Sequence, residues 1–241
     1  VPVFFLQHGQ WIYVKNKKTL KYYPKWTFVF GDDVGEMCQS WPYGEASNIA
    51  VIGNPRYDQA SPNGGSYVYF SPPVIEEVLH GRPSGRIRRP FLNALQAIAK
   101  IDKQVPLVIQ PHYREAQMEM LAEFFPCAQF ADPHLNSLKL IRGANKVLAS
   151  RNSTVVLDAI AHQKPVVLMD FPQDDCCFFE KGYFREFALE STDRSDLVRN
   201  LLAETSIDKT HYAKRAKKYI YLGDASSRIV DVIRTEVYNK E

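Results

Sequence analysis

The chain is short of cysteine, of long apolar runs and of blocks of like charge, and each shortage removes a class of protein. Its four cysteines are Cys38, Cys127, Cys176 and Cys177. They lack metal-ligand spacing, and the adjacent Cys176 and Cys177 lack the CxxC separation of a redox pair. No apolar stretch approaches the roughly 18 residues that a membrane-spanning helix needs, and no secretory signal precedes the first strand. A reduced, cytoplasmic setting is therefore expected. Thirty basic residues stand against 27 acidic ones, a net charge of +3, and they are dispersed, so no nucleic-acid stripe stands out. The nearest approach to a basic run is Lys15, Lys17, Lys18, Lys21 and Lys25, which reads as a solvated face ahead of a patch for an acidic membrane or polymer. There is no internal repeat and no low-complexity segment. The chain also has no initiator Met and opens directly on an apolar strand, so it reads as cut from something longer.

What is present is the material of a layered α/β fold. With 45% hydrophobic residues over 241 positions, the chain can bury one large core or two smaller ones. Strand-like apolar runs fall at Val1–Leu6, Thr27–Phe30, Ile49–Ile52, Tyr67–Phe70, Leu107–Ile109, Lys146–Leu148 and Val166–Met169. Helical spacing of apolar residues fills Pro90–Ile101, Ala116–Phe125, Leu135–Ile141, Ser153–His162, Ser195–Ala203 and Ala225–Val237. Strands alternating with helices predict a parallel sheet. The punctuation Ser61-Pro62-Asn63-Gly64-Gly65 divides the chain. Residues 63–241 hold a complete set of five or six strands with intervening helices, and residues 1–62 hold only three strands, too few for an independent doubly wound domain.

Polar clusters recur where strands end. The richest runs from Lys146-Val147-Leu148 through Ser150-Arg151-Asn152-Ser153-Thr154 into a helix, then over Lys164-Pro165 into the next strand. Strand, polar turn, helix and strand in about 25 residues make a right-handed βαβ unit. Free N–H groups and the helix dipole at such a turn favour an anion, and hydroxyl and amide side chains add donors for phosphate. Gln110-Pro111-His112-Tyr113-Arg114-Glu115 ends another strand, so His112 and Arg114 share that sheet edge. His8, followed by Gly9, closes the first strand and faces a crevice as a candidate general base, or else bonds to local backbone. Arg56, in Gly53-Asn54-Pro55-Arg56-Tyr57-Asp58, suits a phosphate or pairs with Asp58. Asp224 or Ser226 caps the last helix, or that helix end takes a phosphate. Asp170, Asp174 and Asp175 read as a solvated turn ahead of a Mg²⁺ site, and Cys176-Cys177-Phe178-Phe179 as packing.

In this order, His8-Gly9, Gly53-Asn54-Pro55-Arg56-Tyr57-Asp58, Pro111-His112-x-Arg114-Glu115, Ser150-x-x-Ser153-Thr154-x-x-x-Asp158-Ala159, Lys164-Pro165-Val166 and Gly223-Asp224-x-Ser226-Ser227 resemble the GT-B glycosyltransferase-like superfamily. The nearest pattern is that of CDP-glycerol glycerophosphotransferases and capsular-polysaccharide transferases, and UDP-sugar 2-epimerases share the architecture. The resemblance implies Rossmann-like parallel sheets with flanking helices. Residues 63–241 would be a complete nucleotide-binding domain, and residues 1–62 the end of an acceptor-side domain plus linker. It implies His8 as base, and His112, Asn152, Ser153 and Thr154 on the donor phosphates. Asp158 would support the turn or contact the ribose, with Arg56, Arg114, Ser226 and Ser227 as secondary phosphate contacts. No metal and no cofactor is implied beyond a nucleotide-sugar or CDP-glycerol donor. The acceptor would be a polysaccharide or lipid-linked polymer, with peripheral contact at the inner face of the membrane. Two departures stand out: Tyr113 follows Pro111-His112 where relatives have a second proline, and Ser150-Arg151-Asn152 replaces a Ser/Thr-Asp start of the turn. The expected activity is an inverting transfer of a sugar or glycerophosphate to a surface polysaccharide. The alternatives are a UDP-sugar 2-epimerase, for which Glu115 and Asp132 make no convergent carboxylate set, and a non-catalytic nucleotide-sugar-binding module.

Overall fold

The structure, a computed structural model, describes residues 2–7, 24–40, 47–58, 65–71, 85–103, 106–113, 118–151, 153–169, 182–205, 207 and 210–238. The chain divides into two compact units, residues 1–60 with 208–241 and residues 61–207.

The second unit holds six strands, all parallel. They are β4 (Ser66–Phe70), β5 (Leu107–Gln110), β6 (Gln129–Phe130), β7 (Ala144–Ser150), β8 (Val166–Met169) and β9 (Ala188–Ser191). The spatial order is β6-β5-β4-β7-β8-β9. The chain therefore lays strands outward from β4 in one direction, returns, and lays the rest outward in the other. This is the doubly wound arrangement, and its strand order reverses between β4 and β7. Val166 to Met169 are all buried, as a parallel strand covered on both faces must be. The described helices are α2 (Gly85–Asp102), α3 (Met118–Phe124), α4 (Ser137–Gly143), α5 (Val155–Ala161) and α6 (Arg194–Leu202). Leu95, Ile98 and Ile101 of α2 pack with Tyr69, Ile109, Leu148, Val167 and Leu197 in one core.

Lys146 lies inside β7 yet is 3% exposed. Its ammonium donates to the carbonyl oxygens of Asn200 (3.0 Å), Leu201 (2.9 Å) and Ala203 (2.7 Å). A buried cation thus satisfies carbonyls that the end of α6 leaves without helical partners. Its burial lowers its pKa.

The first unit carries a three-stranded parallel sheet, β1 (Phe4–Leu6), β2 (Trp26–Val29) and β3 (Asn48–Val51), in the order β1-β2-β3. Helix α1 (Asp32–Gln39) covers it through Val34 and Cys38, which pack with Val29, Ile49 and Val51. A 3₁₀ turn, Pro55–Tyr57, follows β3. Helices α7 (Tyr212–Ala216) and α8 (Ala225–Tyr238) complete the unit. Their connecting segment runs against β2: the Tyr221 N–H donates to Phe30 O at 2.6 Å, and the Asp32 and Asp33 N–H groups donate to Lys217 O and Lys218 O at 3.0 Å each. A Cβ on Gly31 would lie 2.3 Å from the Tyr219 carbonyl carbon, so only glycine allows that approach.

This return corrects the sequence reading of the domains. Residues 208–241, assigned from sequence to the donor domain, fall in one compact unit with the first sixty. The reason is a set of backbone hydrogen bonds and close approaches that no local pattern marks. Helices α1 and α7 and strands β6 and β9 were also not expected. Two-residue β6 has no pattern to read, and β9 carries Glu190 within its four residues. Among the described residues no helix is long and apolar enough to cross a membrane.

Candidate functional site

A cavity of about 450 Å³ opens at the carboxyl edge of the six-stranded sheet. Its walls come from the ends of β4 (Phe70, Ser71), β5 (Gln110 to Tyr113) and β7 (Ser150), the turn into α5 (Ser153, Thr154, Val155), the segment before α4 (Pro133, Leu135) and the first residue of α4 (Ser137). Since β4 and β7 flank the reversal of strand order, this is the crevice where open α/β sheets bind ligands.

The turn is built by the backbone. Ser153 N–H donates to Ser150 O at 3.0 Å, and Val156 N–H to Ser153 O at 3.1 Å, so the chain leaves β7 and enters α5 within a few residues. Thr154, at the N-cap position, makes no side-chain capping bond, and the Ser153 hydroxyl accepts the Val155 N–H at 3.4 Å. Facing them, Gln110 fixes the opposite wall. Its buried side-chain amide donates to Asp132 O at 3.2 Å and Leu135 O at 2.6 Å, holding Pro133 and Leu135 at the cavity. His112 and Tyr113 continue from β5 with ring centroids 4.4 Å apart, tilted by 34°. The described lining includes serine and threonine hydroxyls, one imidazole, one phenol and apolar surface, with no Lys, Arg, Asp or Glu. Such a wall donates hydrogen bonds and holds no carboxylate to repel an anion.

Of the expected site residues, His112, Ser153 and Thr154 come together here. Asp158 does not line the cavity. It is 4% exposed and accepts the Ser137 hydroxyl at 3.4 Å, joining α5 to the first residue of α4. Its own helix ends at His162, 3% exposed. Burial first, then the charges of Arg142 and Lys164, push the His162 pKa down to about 4. Lys164, 1% exposed, donates to Arg142 O at 2.9 Å, tying the carboxyl ends of α4 and α5 together. Sequence reading missed Ser71, Gln110's bracing role and the wall at Pro133 and Leu135. These contacts link residues more than 20 positions apart, and no local signal in the sequence marks them.

Arg56, Ser226 and Ser227 belong to the other unit and are exposed. There, Asp58 takes the amino end of α8. Its carboxylate accepts Ala225 N–H at 2.9 Å, Ser226 N–H at 3.2 Å and the Ser226 hydroxyl at 2.7 Å. The cap is therefore neither Asp224 nor Ser226, and Asp58 is engaged with α8 and not paired with Arg56 as the alternative had it. Slight burial opposes ionisation of Asp58, but these hydrogen bonds and the Arg228 charge outweigh it and hold the carboxyl below its ordinary range. Lys25, from the expected basic run, pairs with Glu236. His8, Arg114, Glu115, Asn152, Asp170, Asp174, Asp175, Cys176 and Cys177, with Lys15, Lys17, Lys18 and Lys21, lie outside the described residues. Among the described residues no group of three His, Cys, Asp or Glu could hold a metal ion.

No protein-family model matches this chain, and no curated protein matches it. Solved structures do. The wall teichoic acid polymerase TagF, as its H444N variant, superposes with a TM-score of 0.58 at 12% identity, covering 90% of this chain and 59% of that one. A co-structure of S. aureus MnaA with UDP gives 0.54 at 15% identity, covering 89% and 61%. Acinetobacter baumannii MurG gives 0.50 at 15%, covering 98% and 67%. The chain spans about three fifths of the length of the first two. At these identities the likeness is one of fold, and the fold is GT-B-like α/β.

Proposed function

We propose that this chain provides the donor-binding part of an inverting transferase, which moves a sugar or glycerophosphate from a nucleotide-activated donor to a surface polysaccharide. The observation that carries the reading is the cavity at the strand-order reversal, with the hydroxyls of Ser150, Ser153 and Thr154 on one side and His112 on the other. Those donors suit the phosphates of a nucleotide. They stabilise charge as it develops on the departing nucleotide, and preorganised hydrogen-bond donors of this kind are commonly the largest contribution to such catalysis. The MnaA neighbour was solved with UDP and a TagF H444N neighbour was soaked with CDPG, which supports a pyrimidine nucleotide here.

In the proposed step His8 takes the proton of the acceptor hydroxyl. That oxygen forms the new bond to the anomeric carbon, or to phosphorus for a glycerophosphate. The bond to the leaving UDP, CDP or CMP breaks, and its electron pair stays with the nucleotide. A single displacement inverts the reacting centre. A 2-epimerase would need carboxylates around the sugar, and the described lining offers none. Arg114 and Asn152 are proposed as further donors to phosphate. The acceptor polymer and any peripheral contact with a membrane remain part of this proposal.

The test is thermal unfolding with CMP, CDP, UDP, GDP and ADP at millimolar concentration. A nucleotide at 100 times its Kd stabilises the fold by about 2.7 kcal/mol. A selective shift with one pyrimidine nucleotide is expected, and no shift with any of the five sinks the reading. With donor and acceptor present, His8→Ala should abolish turnover and leave nucleotide affinity unchanged. Equal turnover would remove His8 from the mechanism.

A further inference from the structure

Tyr113 departs from the proline expected after Pro111-His112, and its ring stands at the cavity mouth. Among the described lining residues only Tyr113 and Thr154 are exposed, Tyr113 at 56%. These two mark the open side, while Phe70, Ser71, Gln110 and Pro111 are buried behind them. A nucleotide-activated donor has three parts in fixed covalent order: nucleoside, phosphates and transferred group. The hydroxyl wall and the His112 ring suit the phosphates. Pro133 and Leu135, held in place by Gln110, form an apolar wall suited to the flat face of a base. Tyr113 is attached to His112 and lies 4.4 Å from it, ring to ring. Whatever rests on the phenol is therefore bonded close to the phosphates and lies toward solvent, where an acceptor arrives.

We propose that Tyr113 is a specificity-determining platform for the transferred group, and that this group is a pyranose ring and not an acyclic glycerol. The axial C–H groups of a pyranose make one apolar face, and that face packs flat on an aromatic ring; a three-carbon chain has no such face. An aromatic contact of this kind adds roughly a five- to tenfold gain in affinity. The inference rests on the nucleotide reading of the same cavity.

The test is calorimetric titration of the whole chain with UDP and CDP, with UDP-glucose, UDP-galactose and UDP-N-acetylglucosamine, and with CDP-glycerol. At least one nucleotide hexose should bind five- to tenfold tighter than its bare nucleotide, and CDP-glycerol no tighter than CDP. Tyr113→Ala should erase the hexose gain and leave the bare nucleotide's Kd unchanged, and Tyr113→Phe should keep the gain. Since Tyr113 is exposed, both variants should keep the wild-type circular dichroism. Equal weakening of bare nucleotide and nucleotide hexose by Tyr113→Ala would put the ring on the base and overturn the proposal. So would a hexose gain that survives Tyr113→Ala, or no gain for any hexose. Failure of every bare nucleotide to bind wild type would instead sink the underlying nucleotide reading.

Discussion

Helices α5 and α8 start where the sequence marks an anion, yet the fold treats their amino ends in opposite ways. At α8 the partner is built in: Asp58, more than 160 residues away in the chain, accepts two N–H groups and a hydroxyl. At α5 the Thr154 side chain makes no capping bond, the Ser153 hydroxyl accepts the Val155 N–H at 3.4 Å, and both residues line a cavity. Local sequence identifies a helix end that wants a negative partner. Only the long-range fold shows whether the chain itself supplies that partner, as it does at α8.

Acid should separate the two helices first, because they are anchored by groups that titrate in different ranges. At the far end of α5, His162 is buried and its pKa is lowered from 6.5 to about 4. Between those values the unfolded chain binds a proton that the folded chain refuses. Stability is therefore full above pH 6.5 and falls as pH drops toward 4, by at most about 3 kcal/mol. Asp58 at α8 works at lower pH: its carboxyl is depressed when folded, so its contribution persists until pH falls below the ordinary carboxylate value of 3.8. Urea unfolding at pH 7.5 and pH 5.0 checks this, with the cavity-bearing unit losing stability in that interval. An identical midpoint at the two values would contradict it, and His162→Gln should flatten the difference.

The α8 side of the comparison depends on one close approach. Gly53 has φ of +80°, and a Cβ there would fall 1.9 Å from Tyr221 O. Gly53→Ala should therefore cost roughly 2–3 kcal/mol through overpacking and backbone strain, read as a lower urea midpoint. A wild-type midpoint would mean that the segment before α8 is free to shift.

How legible this was from sequence depends on the range of each interaction. Val166–Met169 was read to the residue, because four consecutive buried apolar positions mark a strand covered on both faces. The β7 turn and helix α5 were also legible, since Ser150 to Thr154 announce a strand end and a helix start within a few positions. What escaped was carried by distant partners. Nothing near Gln110 says that it braces Asp132 and Leu135, nothing near Lys146 says that it caps α6, and Gly53-Asn54-Pro55 does not announce a helix arriving from residue 225. The same limit explains why 208–241 was assigned to the wrong unit. The strand ends at Ser150 to Thr154 and at His112 could be read, and the wall at Pro133 and Leu135 could not.

Removing the built-in partner gives a smaller effect than closing Gly53. Asp58→Ala should cost about 1–2 kcal/mol, the usual loss for a helix cap, because the freed N–H groups of Ala225 and Ser226 turn to water. Asp58→Asn keeps an acceptor and should recover part of it. The loss should also shrink as pH falls below the ordinary carboxylate value of 3.8 and through the depressed range of the folded Asp58 carboxyl. A loss that stays constant down to the acid unfolding transition would show that Asp58 contributes packing and not charge.

The smallest effect on stability, and the sharpest on function, belongs to the uncapped end. Thr154→Ala removes an exposed hydroxyl that makes no capping bond, and Ser153→Ala removes one that accepts the Val155 N–H. Thr154→Ala should change unfolding by less than about 0.5 kcal/mol, as surface substitutions usually do. If those hydroxyls donate to phosphate, each variant should weaken nucleotide binding by about 1–2 kcal/mol, roughly five- to thirtyfold. The inverse pattern, lost stability with unchanged affinity, would make Ser153 and Thr154 caps like Asp58, and the contrast between α5 and α8 would collapse. A nucleotide should also protect the wild type more than it protects either variant, since each variant offers its phosphates one hydroxyl fewer.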